Sequence, residues 1–355
     1  MGAARRGLKN IRPPAYIAVK RRKMLMDNAP LDGGDRETPP AIPDFLLVEK
    51  CGSGASGTIY LGIDRDGIRR AVRVLRRDLL PPEQLAAEKT AIGRYRNLIH
   101  GEAGLIDVLY TGETPEALYY VMPLADTLND RWCKYRPATL AARIGDAAFT
   151  REDKLQTVLA VTDALRRMHE HGLAHRDLKP ENILYIDGKP VIADPGSCAP
   201  CSEVSSAGTP GYRPLPPCRG DAADLHAAGR IVYTLFSGYP PERYPDIPAD
   251  WGDAFDAAVD RIVLKCGGSG AENYQNAQEL QVDLLALAAH GKRRRSGVLT
   301  ALAALAALSA LLAGAFLTAR GSGAPIHRRQ TARANPASAV LTSGVRSAAL
   351  HGIGR

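Results

Sequence analysis

Acidic residues are missing from both ends of this 355-residue sequence. Residues 1–26 hold eight Lys or Arg side chains and residues 291–355 hold ten, yet neither stretch has an Asp or a Glu. All 38 acidic residues therefore lie within 27–290, although the whole chain has a formal net charge of +8. A nucleic-acid-binding fold carries its basic surface on the folded domain, so we do not expect nucleic acid as a partner. Basic ends on an acidic middle are typical of a protein near an anionic surface.

The sequence shows no pattern from which a cleavable signal peptide or a disulfide framework is expected. Its amino-terminal apolar run, 13–19, is too short and too interrupted by proline to be the core of a signal peptide. The six cysteines are scattered along the chain, and the closest pair, Cys198 and Cys201, has no further ligands at a recognised zinc spacing. We interpret this pair as ordinary cytosolic thiols, with a metal or redox role as the alternative.

Charge is absent altogether from the stretch 297–319. These 23 residues are rich in Ala and Leu, and a helix needs roughly 20 apolar residues to cross a bilayer. A buried helix is the alternative, but the run has no polar face. The sequence therefore predicts one transmembrane helix, preceded by the basic juxtamembrane segment 291–296, which favours a cytoplasmic location for what comes before it. Small residues repeated along the helix make a homodimer a further hypothesis.

The remaining sequence divides into a folded domain between unstructured ends. Residues 1–40 are predicted to be a disordered basic arm, 41–290 the folded domain, and 320–355 a short basic disordered tail. Within the domain, patterns typical of strands precede patterns typical of helices. Strands are predicted over 45–50, 58–63, 69–75, 105–110 and 117–122, and helices over 81–95, 151–171, 222–236, 254–265 and 276–289. This order indicates an α+β fold with a small sheet followed by a larger helical body.

The first candidate binding motif is the Gly-x-Gly-x-x-Gly formed by Gly52, Gly54 and Gly57. A dinucleotide-binding unit has a helix directly after its glycines, whereas here the β-prone residues 58–61 follow. The loop therefore joins two strands, as a flap over phosphates would. Glycine suits that role because backbone N–H groups can approach a phosphate with no side chain in the way. A plain glycine turn is the alternative.

The most specific segment is His175-Arg176-Asp177-Leu178-Lys179-Pro180-Glu181-Asn182-Ile183-Leu184. It resembles the catalytic loop of protein kinases at every position. The resemblance implies that Asp177 accepts the proton of an attacking hydroxyl and that Asn182 holds a magnesium ion. Lys179, two residues after the aspartate, is similar to the serine/threonine version of this loop.

With this loop as the anchor, residues 45–290 resemble bacterial membrane-anchored serine/threonine kinases. The resemblance implies a bilobal fold with a small antiparallel-sheet N-lobe and a mainly helical C-lobe, together with ATP and Mg²⁺ as cofactors. Asp194-Pro195-Gly196 occupies the Asp-Phe-Gly position, so Asp194 is expected to be the second magnesium ligand. The nucleotide-binding residues that the resemblance implies are Gly52, Gly54, Gly57, Ile59, Ala71, Arg73, Glu88, Met122 and Asp194.

Other segments match the family outside the catalytic loop. Residues 208–212 are similar to the substrate-binding loop, and Asp224 and Gly229 match the long helix beneath the catalytic loop. Met122 would be the gatekeeper, and 123–125 the hinge that faces adenine. The serines of the activation segment, Ser202, Ser205 and Ser206, are candidate phosphorylation sites, with Arg176 to receive the phosphate.

The sequence departs from the family at two places. Arg73 stands where the family has the third-strand lysine that grips the phosphates, and a planar guanidinium does not simply replace an ammonium. In addition, residues 214–216 replace the family's Ala-Pro-Glu, and Asn273 replaces the arginine that pairs with that glutamate. Losing both halves of a buried ion pair can be nearly neutral, so this second departure does not indicate inactivity.

These residues support three functional hypotheses. The first is an active serine/threonine protein kinase at the cell membrane, single-pass, with its kinase domain in the cytoplasm and an unknown protein substrate. The second is a pseudokinase that binds nucleotide or acts as a scaffold, because Arg73 and the Asp-Pro-Gly motif have disabled the chemistry. A small-molecule kinase is a distant third. We favour the enzyme because Asp177, Lys179, Asn182 and Asp194 are all present.

Overall fold

The computed structural model describes residues 39–54, 57–128, 134–267 and 272–289. The predicted juxtamembrane segment, transmembrane helix and carboxyl-terminal tail lie outside these residues, as does nearly all of the amino-terminal arm. The homodimer hypothesis depends on that helix and stays a prediction. Among the described helices, none combines the length and the apolar character needed to cross a bilayer.

The amino-terminal lobe is a five-stranded antiparallel sheet with the strand order β1-β2-β3-β5-β4. Its strands are β1 (Leu46–Gly54), β2 (Gly57–Ile63), β3 (Arg69–Arg76), β4 (Tyr110–Glu113) and β5 (Ala117–Met122). β5 is buried along its whole length, which agrees with its unbroken run of apolar and aromatic residues. β1 and β2 pair up to Gly54 and Gly57, so the glycine motif lies at the tip of a hairpin.

One long helix, α1 (Pro82–Ile99), packs on this sheet. It begins with a proline in its first turn, where a missing N–H has no intrahelical partner to lose. Its buried residues recur at helical spacing, among them Glu88, Ile92, Tyr95 and Ile99. The predicted helix ended near Tyr95, but the buried periodicity continues for one more turn. This helix brings Glu88 against the sheet.

The prediction of a strand over 105–110 was wrong. The strand β4 begins only at Tyr110. Of the residues before it, Leu105, Ile106 and Val108 are buried without belonging to the sheet, whereas Leu109 is exposed. Leu105 makes an isolated parallel bridge with Ile192, and the Ile106 N–H donates to the Ile192 carbonyl at 2.9 Å. The apolar run is therefore explained by burial in the core, which a sequence pattern does not distinguish from a buried strand.

The carboxyl-terminal lobe is mainly helical. Its helices are α2 (Leu140–Arg143), α3 (Arg151–Glu170), α4 (Gly220–Ser237), α5 (Ala254–Cys266) and α6 (277–289). α3 begins with a capping box between Thr150 and Asp153, and α5 with one between Asp253 and Asp256. The predicted antiparallel N-lobe and helical C-lobe are confirmed.

Short strands position the catalytic segments on this helical body. β7 (Ile183–Ile186) pairs with β8 (Lys189–Ile192), and β6 (Leu173–Ala174) pairs with β9 (Ala199–Pro200). A third small ladder joins β10 (Val204–Ser205) to β11 (Cys218–Arg219). The catalytic loop runs from β6 to β7, and the Asp-Pro-Gly motif follows β8. Both motifs therefore lie at neighbouring strand ends, facing the sheet of the other lobe.

Candidate active site

A cleft of about 400 Å³ lies between the amino-terminal sheet and the catalytic loop. Most of the sequence-predicted nucleotide residues line it, namely Gly52, Gly54, Ile59, Ala71, Arg73, Met122 and Asp194. Lys179 and Asn182 line its opposite wall. Gly57 and Glu88 do not line this cleft: Glu88 is paired with Arg73, and Gly57 lies in the neighbouring strand β2. The structure therefore brings together residues that the sequence separates by more than 140 positions.

The cleft has apolar side walls, and residues 123–125 line its edge. Ile59 and Ala71 lie on the sheet side, and Leu184 lies on the opposite side. Sequence reasoning missed Leu184 and also Tyr135, whose hydroxyl donates to the Ala125 carbonyl at 3.0 Å. Tyr135 gives no signal in the sequence, because it belongs to no motif. An apolar slot of this kind suits a planar ring such as a nucleotide base.

Arg73 is a buried cation at the back of this cleft. Its Nε lies 3.5 Å from Glu88 Oε1, and its Nη1 lies 2.6 Å from Asp194 Oδ1. Only 5% of Arg73 and 4% of Glu88 is exposed, so the pair is shielded from water. Burial alone lowers the pKa of Arg73, but the neighbouring Tyr120, Asp194 and Glu88 raise it above its ordinary value. Arg73 thus stays charged beside two carboxylates.

The glycine of the Asp-Pro-Gly motif allows this arrangement. A Cβ atom on Gly196 would lie 2.7 Å from Glu88 Oε1, so a larger residue would displace the carboxylate. Pro195 is buried at the position where the family has phenylalanine. Asp194 itself adopts a left-handed backbone conformation, with φ at 63°. Such a conformation is uncommon for a residue with a side chain, and it is often found at functional sites.

Asp177 is held by hydrogen bonds from three sides. Its Oδ1 accepts from the Thr209 N–H at 2.9 Å and from the Thr209 hydroxyl at 2.8 Å. Its Oδ2 accepts from Lys179 Nζ at 2.7 Å, and the same Nζ donates to Thr209 Oγ1 at 2.7 Å. Asn182 Nδ2 donates to the Asp177 carbonyl oxygen at 2.8 Å. The carboxylate is therefore fixed in one orientation beside a cation.

The backbone of the catalytic loop is held from below by Asp224 in α4. This buried carboxylate accepts from the N–H groups of His175 and Arg176, at 2.7 and 2.8 Å, and lies 2.9 Å from His169 Nε2. His175 Nε2 donates to the Ala193 carbonyl at 2.8 Å, which leaves Nδ1 to accept from the Asp177 N–H at 3.3 Å. One buried aspartate and one neutral histidine thus connect the catalytic loop to the strand before Asp194.

Asn182 and Asp194 fit a magnesium ion by their chemistry. Mg²⁺ prefers a few hard oxygen ligands and takes the remainder from phosphates and water. The Asn182 amide nitrogen is used by the Asp177 carbonyl, so its Oδ1 is the atom that would face a metal. In the described part of the chain, no group of three His, Cys, Asp or Glu side chains is placed to hold a metal alone. Phosphate oxygens would therefore have to complete the coordination.

The paired cysteines show no property of a reactive or metal-binding site. Cys198 and Cys201 are both free thiols. Cys198 is buried, which raises its pKa well above the ordinary value, and burial raises the pKa of Cys201 to about 12. A raised pKa leaves little thiolate at neutral pH, so neither thiol is activated as a nucleophile.

The activation segment is bonded to the catalytic loop through Arg176. Its Nε donates to Ser205 Oγ at 3.1 Å, and its Nη1 lies 3.7 Å from Glu203 Oε2. Ser205 is fully buried, whereas Ser202 and Ser206 are exposed. Phosphorylation of Ser205 would require the segment to open first. Modification of Ser202 or Ser206 stays a prediction.

The residues that stand in place of the Ala-Pro-Glu motif and of its arginine partner, 214–216 and Asn273, are uncharged. Leu215, at the centre of the replacement, is 79% exposed, and Asn273 is half-buried. The neighbouring Tyr274 is buried, and its hydroxyl donates to Asp283 at 2.7 Å. These positions are therefore occupied without an isolated charge, as the paired loss of the two ionic residues predicts.

An antiparallel sheet with a glycine hairpin, facing a helical lobe that presents Asp, Lys and Asn, defines a class of two-lobed phosphotransferases. The chain belongs to the protein kinase family, because the family model described as "Protein kinase domain" matches residues 45–285. That match spans the glycine hairpin, the catalytic loop and the Asp-Pro-Gly motif, and it excludes both basic ends.

Several curated kinases are similar to this chain over part of their length. A calcium/calmodulin-dependent protein kinase, cmkA, from Emericella nidulans is 36% identical over 146 residues, which is 37% of this chain and 33% of that protein. A calcium/calmodulin-dependent protein kinase type 1 from Macrobrachium nipponense is 29% identical over 227 residues, 58% of this chain and 61% of that protein. The DNA damage-responsive serine/threonine-protein kinase RqkA from Deinococcus radiodurans is 29% identical over 251 residues, 62% and 36% respectively. The chain thus spans between 33% and 61% of these relatives.

Proposed function

We propose that this protein is an active serine/threonine protein kinase that transfers the γ-phosphoryl group of Mg-ATP to hydroxyls of a protein substrate. The observation that carries the proposal is the bonded set of Asp177, Lys179 and Thr209. A carboxylate held within 2.9 Å of two donor groups and 2.7 Å of a cation is already in position to act. Phosphoryl transfer depends mainly on such positioning and on charge stabilisation.

The cleft provides the residues that would bind the nucleotide. Its apolar walls, Ile59, Ala71 and Leu184, would hold the adenine ring, and the hinge backbone would provide the polar edge. Arg73 would place a fixed positive charge against the phosphates, because Glu88 and Asp194 hold its guanidinium. Arginine binds phosphate with two parallel N–H groups. Its hydrogen-bonding geometry therefore differs from that of the family's lysine, but its positive charge is not weaker.

The catalytic loop provides the residues that would carry out phosphoryl transfer. Asp177 would orient the acceptor hydroxyl and accept its proton, which requires that its carboxylate remain ionised beside Lys179. Lys179 would stabilise the negative charge that develops on the transferred group. Asn182 and Asp194 would hold magnesium, which neutralises phosphate charge when bound. The serine/threonine assignment is supported by Lys179 two residues after Asp177 and by its bond to Thr209.

We further propose that the protein is anchored in the cell membrane by residues 297–319, with the kinase domain in the cytoplasm. The proposal rests on the uncharged run and on the basic segment before it. Alkaline carbonate extraction of membranes from cells that express the full-length chain tests it. The protein should remain in the membrane pellet, and a variant truncated before 291 should be released. Release of the full-length chain would contradict the anchor.

Phosphate transfer by the full-length protein, purified in mild detergent, tests the proposed activity. Peptide mixtures of random sequence, each with a single fixed Ser, Thr or Tyr acceptor, are incubated with labelled ATP and magnesium. The wild type should label the Ser and Thr mixtures. The rate of labelling by Asp177→Asn should be lower by at least about a hundredfold. Asp250→Asn, which changes an exposed carboxylate, is the matched control and should behave as the wild type.

Two results would overturn the proposed activity. Equal labelling by the wild type and by Asp177→Asn would show that Asp177 has no catalytic role. Absence of labelling, together with a thermal shift on addition of Mg-ADP, would instead support the pseudokinase hypothesis.

A further inference from the structure

Arg176 contacts the activation segment through both its side chain and its backbone. Its Nε donates to Ser205 Oγ at 3.1 Å, and its carbonyl oxygen lies so close to Gly208 that a Cβ there would come within 2.9 Å of it. The next residue along each segment continues the contact, because Thr209 donates two hydrogen bonds to Asp177. The catalytic loop and the activation segment therefore share one continuous interface.

Ser205 is itself held in place by the segment that follows the activation segment. It is fully buried, and it pairs with Cys218 in the short ladder of β10 and β11. The N–H of Gly220, at the start of α4, donates to the Glu203 carbonyl at 2.9 Å. A buried hydroxyl on a paired strand is locked by its surroundings, so it offers Arg176 an acceptor at a fixed position.

The charge of Arg176 is met from within the activation segment. Glu203 is the only charged residue in 198–209, and its Oε2 lies 3.7 Å from Arg176 Nη1. Glu203 is half exposed, so this ion pair contributes little by itself. The bond to Ser205 is stronger, because its donor is a charged guanidinium that is 18% exposed. Phosphorylation orders such a segment by adding an anion that pairs with arginine, and here an acceptor and an anion are present without it.

We propose that Ser205 is a positioning residue for Arg176, and that its hydroxyl, with the Glu203 carboxylate, takes the place of an added phosphate. The shared interface then keeps Thr209 on Asp177 in the unphosphorylated protein. Ser205 does not line the nucleotide cleft, so it acts through Arg176 and not on the nucleotide. The inference rests on the proposed function only in that Asp177 is taken to act on the acceptor hydroxyl.

Removal of phosphate from the full-length protein tests whether the site is assembled without it. The protein, purified in mild detergent, is treated with a phosphatase that acts on Ser, Thr and Tyr, and mass spectrometry checks that the activation segment carries no phosphate. Its kcat on the Ser and Thr peptide mixtures, measured as an initial rate, should stay within about twofold of the untreated value. The double variant Ser202→Ala, Ser206→Ala, which lacks both exposed acceptors, should do the same. A larger loss in either protein would overturn the inference.

Ser205→Ala tests the hydroxyl itself. The variant leaves the Arg176 guanidinium without this acceptor, so kcat should fall by at least about tenfold, because a hydrogen bond to a charged group is lost. KM for ATP should change little, because the cleft is untouched. Ser206→Ala, at the next residue and exposed, is the matched control and should keep the wild-type kcat. A smaller fall in Ser205→Ala, or an equal fall in Ser206→Ala, would overturn the inference.

Hydrogen exchange of the backbone amides in 204–209 gives a readout that does not depend on activity. In phosphate-free protein these amides should exchange at least about threefold faster in Ser205→Ala than in the wild type, because the interface opens more often. In the Arg176→Met background the same change should have an effect below about 1.5-fold, whereas a merely structural role of Ser205 would appear in both backgrounds. Equal effects in the two backgrounds would overturn the inference.

These measurements separate the inference from the proposed function. A wild type that transfers no phosphate, with or without phosphatase treatment, would refute the kinase activity, and hydrogen exchange would still be read. Equal exchange in the wild type and in Ser205→Ala would then overturn the inference. The comparison of Ser205→Ala with Ser206→Ala needs no variant of Arg176, so it remains decisive if Arg176→Met does not fold.

Discussion

At the scale of single residues, Thr209 connects Asp177 to the segment that follows the Asp-Pro-Gly motif. Its N–H and its hydroxyl both donate to Asp177 Oδ1, and its Oγ1 accepts from Lys179. Thr209→Ala removes the hydroxyl and keeps the backbone bond. We expect kcat to fall by about tenfold to a hundredfold, because one hydrogen bond to a charged group contributes about 1.5–3 kcal/mol, with little change in KM for ATP.

Thr209→Ser is the control for that measurement. Serine retains the hydroxyl, so steady-state kinetics on the Ser and Thr peptide mixtures should show nearly wild-type kcat. A kcat that is unchanged in Thr209→Ala would show that the backbone bond and Lys179 hold Asp177 without help from the hydroxyl.

The site residues that the sequence could predict are those that lie close together in the chain. Asp177, Lys179 and Asn182 belong to one ten-residue loop, so the resemblance of that loop to the protein kinase catalytic loop was enough to imply their roles. The contact between Arg73 and Asp194 joins two segments that are far apart in the chain. Sequence patterns carry no signal for such a contact. They also carry none for the position of Tyr120 opposite Arg73 in the sheet. The sequence placed Arg73 among the nucleotide-binding residues and made it the cause of lost activity only in the pseudokinase hypothesis, and the structure adds that this cation is paired with two carboxylates.

At the scale of elements, the crossing of α4 and α5 depends on Gly229. A Cβ at this position would lie 2.3 Å from the Cys266 Cβ, so the two helices can approach only at a glycine. Gly229→Ala should lower the free energy of unfolding by about 1–3 kcal/mol, because overpacking outweighs the better helix propensity of alanine. Denaturant unfolding followed by circular dichroism measures this change.

Gly93→Ala is the matched control on another helix. Gly93 lies in α1, and a Cβ there would meet no atom within 4 Å. The substitution should raise the free energy of unfolding by about 0.5–1 kcal/mol, through helix propensity alone. Loss of stability in Gly93→Ala, or none in Gly229→Ala, would contradict the packing described for these helices.

The sequence predicted the type of most elements but not the role of every apolar run. Patterns typical of strands indicated β3 and β5, and a helical pattern indicated α3. The run at 105–110 has the same composition as a strand, yet its backbone bonds go partly to Ile192 in the other lobe. Whether an apolar run becomes a strand depends on its pairing with distant segments of the chain. The periodicity of the sequence contains no information about that pairing.

At the scale of the whole molecule, the charge distribution separates the kinase domain from the two ends. The match to the protein kinase family covers 45–285, and all the acidic residues lie within 27–290. The basic residues concentrated in 1–26 and 291–355 therefore lie outside the part that matches the protein kinase family. This division is consistent with a catalytic domain held at an anionic surface by its ends, as proposed for the segment 297–319.

The most direct test of the central claim is the initial rate of phosphate transfer at saturating Mg-ATP for the wild type and for Arg73→Met, with Asp177→Asn as the baseline. The central claim is that Arg73 serves as the phosphate-binding cation of a working kinase site. It predicts a wild-type rate well above baseline and a loss of at least about tenfold in Arg73→Met, checked for folding by its unfolding midpoint. A wild-type rate at baseline, or an Arg73→Met rate equal to that of the wild type, would contradict it.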